Sequence, residues 1–129
     1  MSRFVLDSYA WIEYFEGSEA GKKVKTIIEN KENKIFTSLI NVSEIMSIFK
    51  RREYDFEEAY KLIISLSGIH PSDCAFAKEA GLLHAEIKAK NRHFSLADAF
   101  VLLTARKLNA KVLTGDEDFR GIKEAVLIK

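Results

Sequence analysis

The chain has one cysteine and one proline in 129 residues, and its charges nearly cancel to a formal net charge of +1. A lone cysteine, Cys74, cannot close an internal disulfide, which fits a reducing, cytoplasmic setting. Its neighbours Ala75, Phe76 and Ala77 are apolar, so a buried packing residue is expected there rather than a nucleophile. The one proline, Pro71, keeps His70 out of the helical region, making Ile69–Pro71 a short extended piece. The near-zero charge rules out an overall basic field for nucleic acid, though a local basic rim can still hold a phosphate backbone. No apolar run is long enough to span a membrane, and Asp7 interrupts the first one too early for a secretion signal. Repeats, low-complexity tracts and linkers are also missing. What remains, 47% hydrophobic and 30% charged, is ordinary globular composition. The length suits one domain over residues 1–129.

The organising stretch is Phe4-Val5-Leu6-Asp7-Ser8. A short apolar run predicts a strand buried on both faces, with Asp7 at its carboxyl end. A very apolar helix with Tyr9, Trp11, Ile12, Tyr14 and Phe15 follows and closes near Gly17. Ser18 opens a second helix carrying Ala20, Val24, Ile27 and Ile28. Lys34–Thr37 predicts the second strand. A third helix is expected from about Asn41 to Arg52, with Glu44 at the edge of its apolar stripe. Asp55 caps a fourth helix, Phe56 to Ser67, stopped by Gly68. Ile45, Phe49, Tyr60, Ile63 and Ile64 give these two helices a shared apolar surface, which is either core or interface. Ser72 is expected to cap a fifth helix reaching about Lys90. Ser95–Leu108 has apolar residues on every side of its first turns, the mark of a buried helix, with Asp98 its only charge before Ala105. Lys111–Thr114 and Ala125–Ile128 predict two more strands around the turn Gly115–Phe119. Strands and helices alternate, which predicts an α/β fold: a parallel sheet with helices on both faces.

Four carboxylates take related positions. Asp7 and Asp116 follow strand ends, while Glu44 and Asp98 fall in early helical turns. Each has a plain structural explanation. Asp7 caps a helix, Glu44 closes a capping box with Asn41, Asp98 closes one with Ser95, and Asp116 starts a turn. Asp98 strains that explanation most, because Val101, Leu102 and Ala105 surround it and an ionised carboxylate there needs compensation. A divalent cation supplies it. All four are hard oxygen donors without an accompanying cysteine or histidine, which suits magnesium or manganese and argues against zinc. Ser8 and Thr114 adjoin two of the acids and are placed to orient them or to hold a water. His84 and His93 have no partner at metal-ligand spacing.

With these motifs the sequence resembles the PIN-domain ribonucleases, above all the small VapC-type toxins of toxin–antitoxin pairs. The resemblance spans the whole chain. It rests on Phe4–Ser8, Ser43-Glu44-Ile45, Ser95-Leu96-Ala97-Asp98-Ala99 and Thr114-Gly115-Asp116-Glu117-Asp118-Phe119. It implies that Asp7, Glu44, Asp98 and Asp116 bind magnesium or manganese and that RNA is cleaved at a phosphodiester. It also implies a small antitoxin partner and a homodimer, for which Tyr9, Trp11, Tyr14 and Phe15 offer aromatic anchors. Asp118 is a further acid near the metals or a cap for the short helix after it. For substrate, Arg92 is the best single cation, since it precedes the Asp98 helix. Lys50, Arg51 and Arg52 fit better as a solvated helix end. Three other readings stay open: a PIN nuclease that processes RNA outside any toxin–antitoxin pair, a receiver-like domain, and a pure interaction domain. A dehalogenase-like phosphatase fits poorly, because its second acid would fall at Tyr9.

Overall fold

Val5 and Leu6 are both wholly buried, yet they belong to different cores. Neighbouring residues of a strand face opposite sides of a sheet, so apolar layers must cover both sides. The computed structural model describes residues 2–128. Five strands, β1 (Ser2–Leu6), β2 (Asn33–Ser38), β3 (Gly68–His70), β4 (Lys111–Thr114) and β5 (Ala125–Leu127), stand in the order β3-β2-β1-β4-β5. All four pairings are parallel. The organising strand is therefore central, as its apolar run predicts.

Six helices connect the strands: α1 (Ser8–Glu16), α2 (Glu19–Glu29), α3 (Leu39–Arg51), α4 (Phe56–Leu66), α5 (Cys74–Lys88) and α6 (Leu96–Leu108). One core joins Leu6, Trp11, Val24, Ile45, Phe49 and Ile63. The other joins Val5, Phe94, Val101, Leu102, Val112 and Phe119. The two layers bring the amino ends of α1, α3 and α6 toward the carboxyl edge of the sheet. That edge is where open α/β sheets bind ligands.

Local chemistry sets most boundaries. Gly17 ends α1 in the left-handed region at φ 68° and donates to Glu13 and Tyr14 carbonyls, the usual role of a glycine there. The turn returns the chain so closely that a Cβ on Gly21 would meet the Glu13 carbonyl oxygen at 1.9 Å. Asp55 caps α4 as expected.

Several expectations need correction. Asp73, not Ser72, caps α5, accepting from the Phe76 amide at 2.8 Å, and the helix ends at Lys88. Cys74 is exposed in its first turn, not packed. Helix α3 starts earlier than expected, at Leu39, because the chain passes from β2 into it directly. Glu44 then lies beyond the first turn and closes no capping box. The shared surface of α3 and α4 divides: Ile45, Phe49 and Ile63 are core, while Tyr60 and Ile64 are 46% and 45% exposed. No helix among the described residues is long and apolar enough to cross a membrane.

Candidate metal centre

The parallel register puts Leu6 beside Leu113, so the next residues, Asp7 and Thr114, meet at the end of the sheet. Asp7 is 5% exposed. One of its oxygens, Oδ1, accepts from the Ala10 amide at 2.9 Å and so caps α1. The other accepts a short hydrogen bond from the Thr114 hydroxyl. That hydroxyl also accepts from the Asp116 amide at 2.9 Å. Thr114, fully buried, therefore ties the Asp7 carboxylate to the backbone of Asp116, two residues that follow different strands. Asp116 Oδ1 accepts from the Asp118 amide at 2.8 Å, which folds the chain into a single turn of 3-10 helix, Glu117–Phe119. Gly115 is required at this corner, because the Tyr9 ring lies against it and a Cβ would come within 2.1 Å of Tyr9 Cε1.

Asp98 enters from α6. Its carboxylate accepts from the Ser95 amide at 2.9 Å, and Ser95 Oγ accepts from the Asp98 amide at 3.0 Å. The capping box is thus present, but it does not take Asp98 away from the other acids. Carboxylate oxygens of Asp98, Asp116 and Asp118 all lie within 4.8 Å of one another. Like charges that close repel strongly in a partly desolvated site. Two acids of the site, Asp7 and Asp98, hold their protons above the usual carboxylate range. Burial is the main cause that pushes Asp7 up to about 7, with Asp98 and Asp116 adding to it and the Thr114 and Ala10 bonds opposing it. Burial also lifts Asp98 to about 6, helped by Asp116 and Asp118 and opposed by the bonds to Ser95. A divalent cation is the natural counterpart of such a set. The donors are all hard oxygens, three of them already within reach of one centre.

Among the described residues Glu44 is not one of the clustered acids; it lies on α3 and meets Ser8 and Asn41. Ser8 Oγ donates to Glu44 Oε1 at 2.8 Å, and Asn41 Nδ2 reaches the same oxygen at 2.8 Å. Asp118 does not cap the short helix but lies inside it, and Asp116 is the cap. Asn91 is a contributor that sequence reasoning misses. Its Nδ2 donates to the Asp118 carbonyl at 3.3 Å, tying the loop before α6 to the acidic corner. Nothing in the local sequence marks that role. Asn41 is more accessible to such reasoning, since residues three apart share a helix face and Glu44 follows it at that spacing. Arg92 is exposed in the α5–α6 loop, where its carbonyl accepts from Lys88 Nζ at 2.8 Å. Of the three cations ending α3, Arg52 pairs with Glu16 at 3.5 Å and Lys50 sits 5.5 Å from the centre of the Phe56 ring. They belong to the surface of the fold, as expected. His84 is likewise structural, its Nε2 3.0 Å from the Phe94 carbonyl oxygen.

A doubly covered parallel sheet with acids gathered at its carboxyl edge matches one family: the PIN domain model aligns with residues 4–125. The chain belongs to the PIN domain family, and not to the receiver domains or the dehalogenase-like phosphatases. No curated protein matches it in sequence. Solved structures share its fold. A toxin–antitoxin complex from Klebsiella pneumoniae matches at TM-score 0.71 and 22% identity, over 97% of each chain. VapBC2 from Rickettsia felis, bound to a promoter DNA fragment, matches at 0.71 and 17%, over 97% of this chain and 96% of that one. VapC20 from Mycobacterium tuberculosis, a sarcin–ricin loop cleaving toxin, matches at 0.67 and 16%, over 90% and 92%.

Proposed function

We propose that this protein is a magnesium- or manganese-dependent endoribonuclease, the toxin of a toxin–antitoxin pair. The observation that carries the reading is the meeting of Asp98, Asp116 and Asp118 within 4.8 Å, beside a buried Asp7 that Thr114 ties to Asp116. Asp7, Glu44, Asp98 and Asp116 are the acids assigned to the cation. Asp118 joins them on the strength of its position. A cation held here would acidify a water for attack on phosphorus and neutralise charge on the phosphate. The chain's own part is to hold the oxygens still. Thr114 does so for Asp7, Ser95 for Asp98, and Ser8 for Glu44. Arg92 is the cation assigned to the RNA backbone, where it would offset the acidic centre.

Toxin–antitoxin relatives among the structural neighbours support the biological setting. So does a groove of about 490 Å³ lined by Phe15, Glu16, Phe49, Tyr54, Asp55 and Glu58. Its aromatic floor and acidic rim suit a basic, amphipathic antitoxin segment. Trp11 is not part of that surface: it is wholly buried, and its Nε1 donates to Thr37 Oγ1 at 3.0 Å. The homodimer is assigned to the exposed Tyr60 and Ile64 on α4.

The test is cleavage of a structured RNA by the purified protein, with magnesium or manganese and with excess chelator. Metal-dependent cutting that leaves 5′-phosphate ends is expected, because an attacking water displaces the 3′ oxygen. Cutting in chelator, or ends carrying a cyclic phosphate, would refute the reading.

A further inference from the structure

Asn41 is 2% exposed, lies in the first turn of α3, and turns its amide nitrogen to Ser8 and Glu44. Nδ2 donates to Ser8 Oγ at 2.9 Å and to Glu44 Oε1 at 2.8 Å. Ser8 Oγ donates to that same Oε1 at 2.8 Å. Three side chains from two helices thus close a triangle in which one carboxylate oxygen takes two donors. The amide cannot be turned over, since its oxygen would then face a carboxylate oxygen with no proton between them. The cost falls on the other end. Asn41 Oδ1 is buried and has no hydrogen-bond partner among the described residues. An orphaned buried carbonyl destabilises the fold, whereas an apolar side chain of the same shape carries no such penalty. Packing alone would favour leucine here, so the asparagine needs another reason.

We propose that Asn41 is a positioning residue for catalysis: it fixes Glu44 through Oε1 and thereby sets the direction of Oε2. The inference rests on Glu44 belonging to the active site. Two donors on one oxygen stop the carboxylate turning about its last bond, so Oε2 keeps a single direction. Ser8 alone, with one rotatable hydroxyl, would leave that rotation free.

The decisive variant is Asn41→Leu, which keeps size and branching and removes both the donor and the orphaned oxygen. Its melting temperature should equal or exceed that of the wild type. Its kcat should fall about 10–100-fold, the usual loss when a group supporting a metal ligand is removed, with KM held. In its crystal structure the Glu44 carboxylate should have rotated away from Ser8. Asn41→Ser, a shorter donor, should recover part of the lost kcat. A variant that melts much lower yet keeps kcat makes Asn41 a structural residue and overturns the inference. If the wild type cuts no RNA, the nuclease reading fails, and the crystal structure of Asn41→Leu still decides. Glu44 found in its original place would then show that Asn41 does not position it. Should Asn41→Leu not fold, Asn41→Ala takes its place, and an unchanged Glu44 and kcat there would count equally against the proposal.

Discussion

Asp7 ends the central strand, caps α1 and faces two other acids, and these tasks conflict in a measurable way. Burial holds it at about 7 and Asp98 at about 6, both above the ordinary 3.8. Between about pH 4 and pH 7 the folded protein therefore keeps protons that the unfolded chain has released. Their stabilising effect is complete below about pH 4 and is lost as pH rises through 6 and then 7. The metal-free melting temperature should drop between about pH 4 and pH 7. The loss is on the order of several kcal/mol, since a tenfold change in a group's acidity is worth about 1.4 kcal/mol. Asp98→Asn cannot ionise and still accepts from the Ser95 amide, so the mutant should lose less stability over the same window. It should be at least as stable as the wild type near neutrality. Scanning calorimetry of both proteins checks this, and a wild type that gains stability with pH would contradict the site's electrostatics. At this scale the sequence is partly legible. Capping and clustering look like rival roles for Asp98, but one carboxylate does both, because the helix start that needs a cap also lies at the sheet edge where the acids gather. Cys74 misleads because apolar neighbours in a helix do not share its face, and its own faces solvent.

The elements are more legible than their ends. Apolar runs and helical stripes identify four of the five strands and all six long helices, since burial on one face or two dictates that pattern, while β3 reads only as the short extended piece before Pro71. The ends depend on which hydroxyl or carboxylate reaches a free amide, and Ser72 and Asp73 are chemically equivalent candidates one residue apart. The start of α3 is hidden for a related reason: β2 runs into it without a turn, and Ser38 makes no side-chain cap bond. Close approaches between elements are invisible. Gly21 reads as an indifferent helical glycine, yet the neighbouring backbone leaves no room for a methyl group. Gly21→Ala should cost about 1–3 kcal/mol, the range for overpacking, despite alanine's better helix propensity. Chemical denaturation would register it, and a stabilised variant would mean that α1 and α2 separate easily.

For the whole molecule, the covered sheet explains why the acids sit together: parallel strands end at one edge, so residues distant in sequence converge there without a dedicated scaffold. For Asp7, Asp98 and Asp116 that convergence follows from their places after strand ends and in an early helical turn, whereas Glu44 is seen only with Ser8 and Asn41. The support from Asn91 is not legible in the sequence, because it depends on how the loop before α6 folds back on the edge. The surface of α4 makes a separate prediction: sedimentation should show a dimer that Ile64→Lys dissociates, whereas a monomer at every concentration would remove the proposed interface. The central claim, that the gathered carboxylates hold a divalent cation, is tested most directly by calorimetric titration of manganese into the metal-free protein and into Asp98→Asn. The wild type should bind saturably, more tightly as pH rises through about 6 to 7 and the acids ionise, and Asp98→Asn should bind at least about tenfold more weakly. Absence of saturable binding, or equal affinity in the two proteins, would contradict the account.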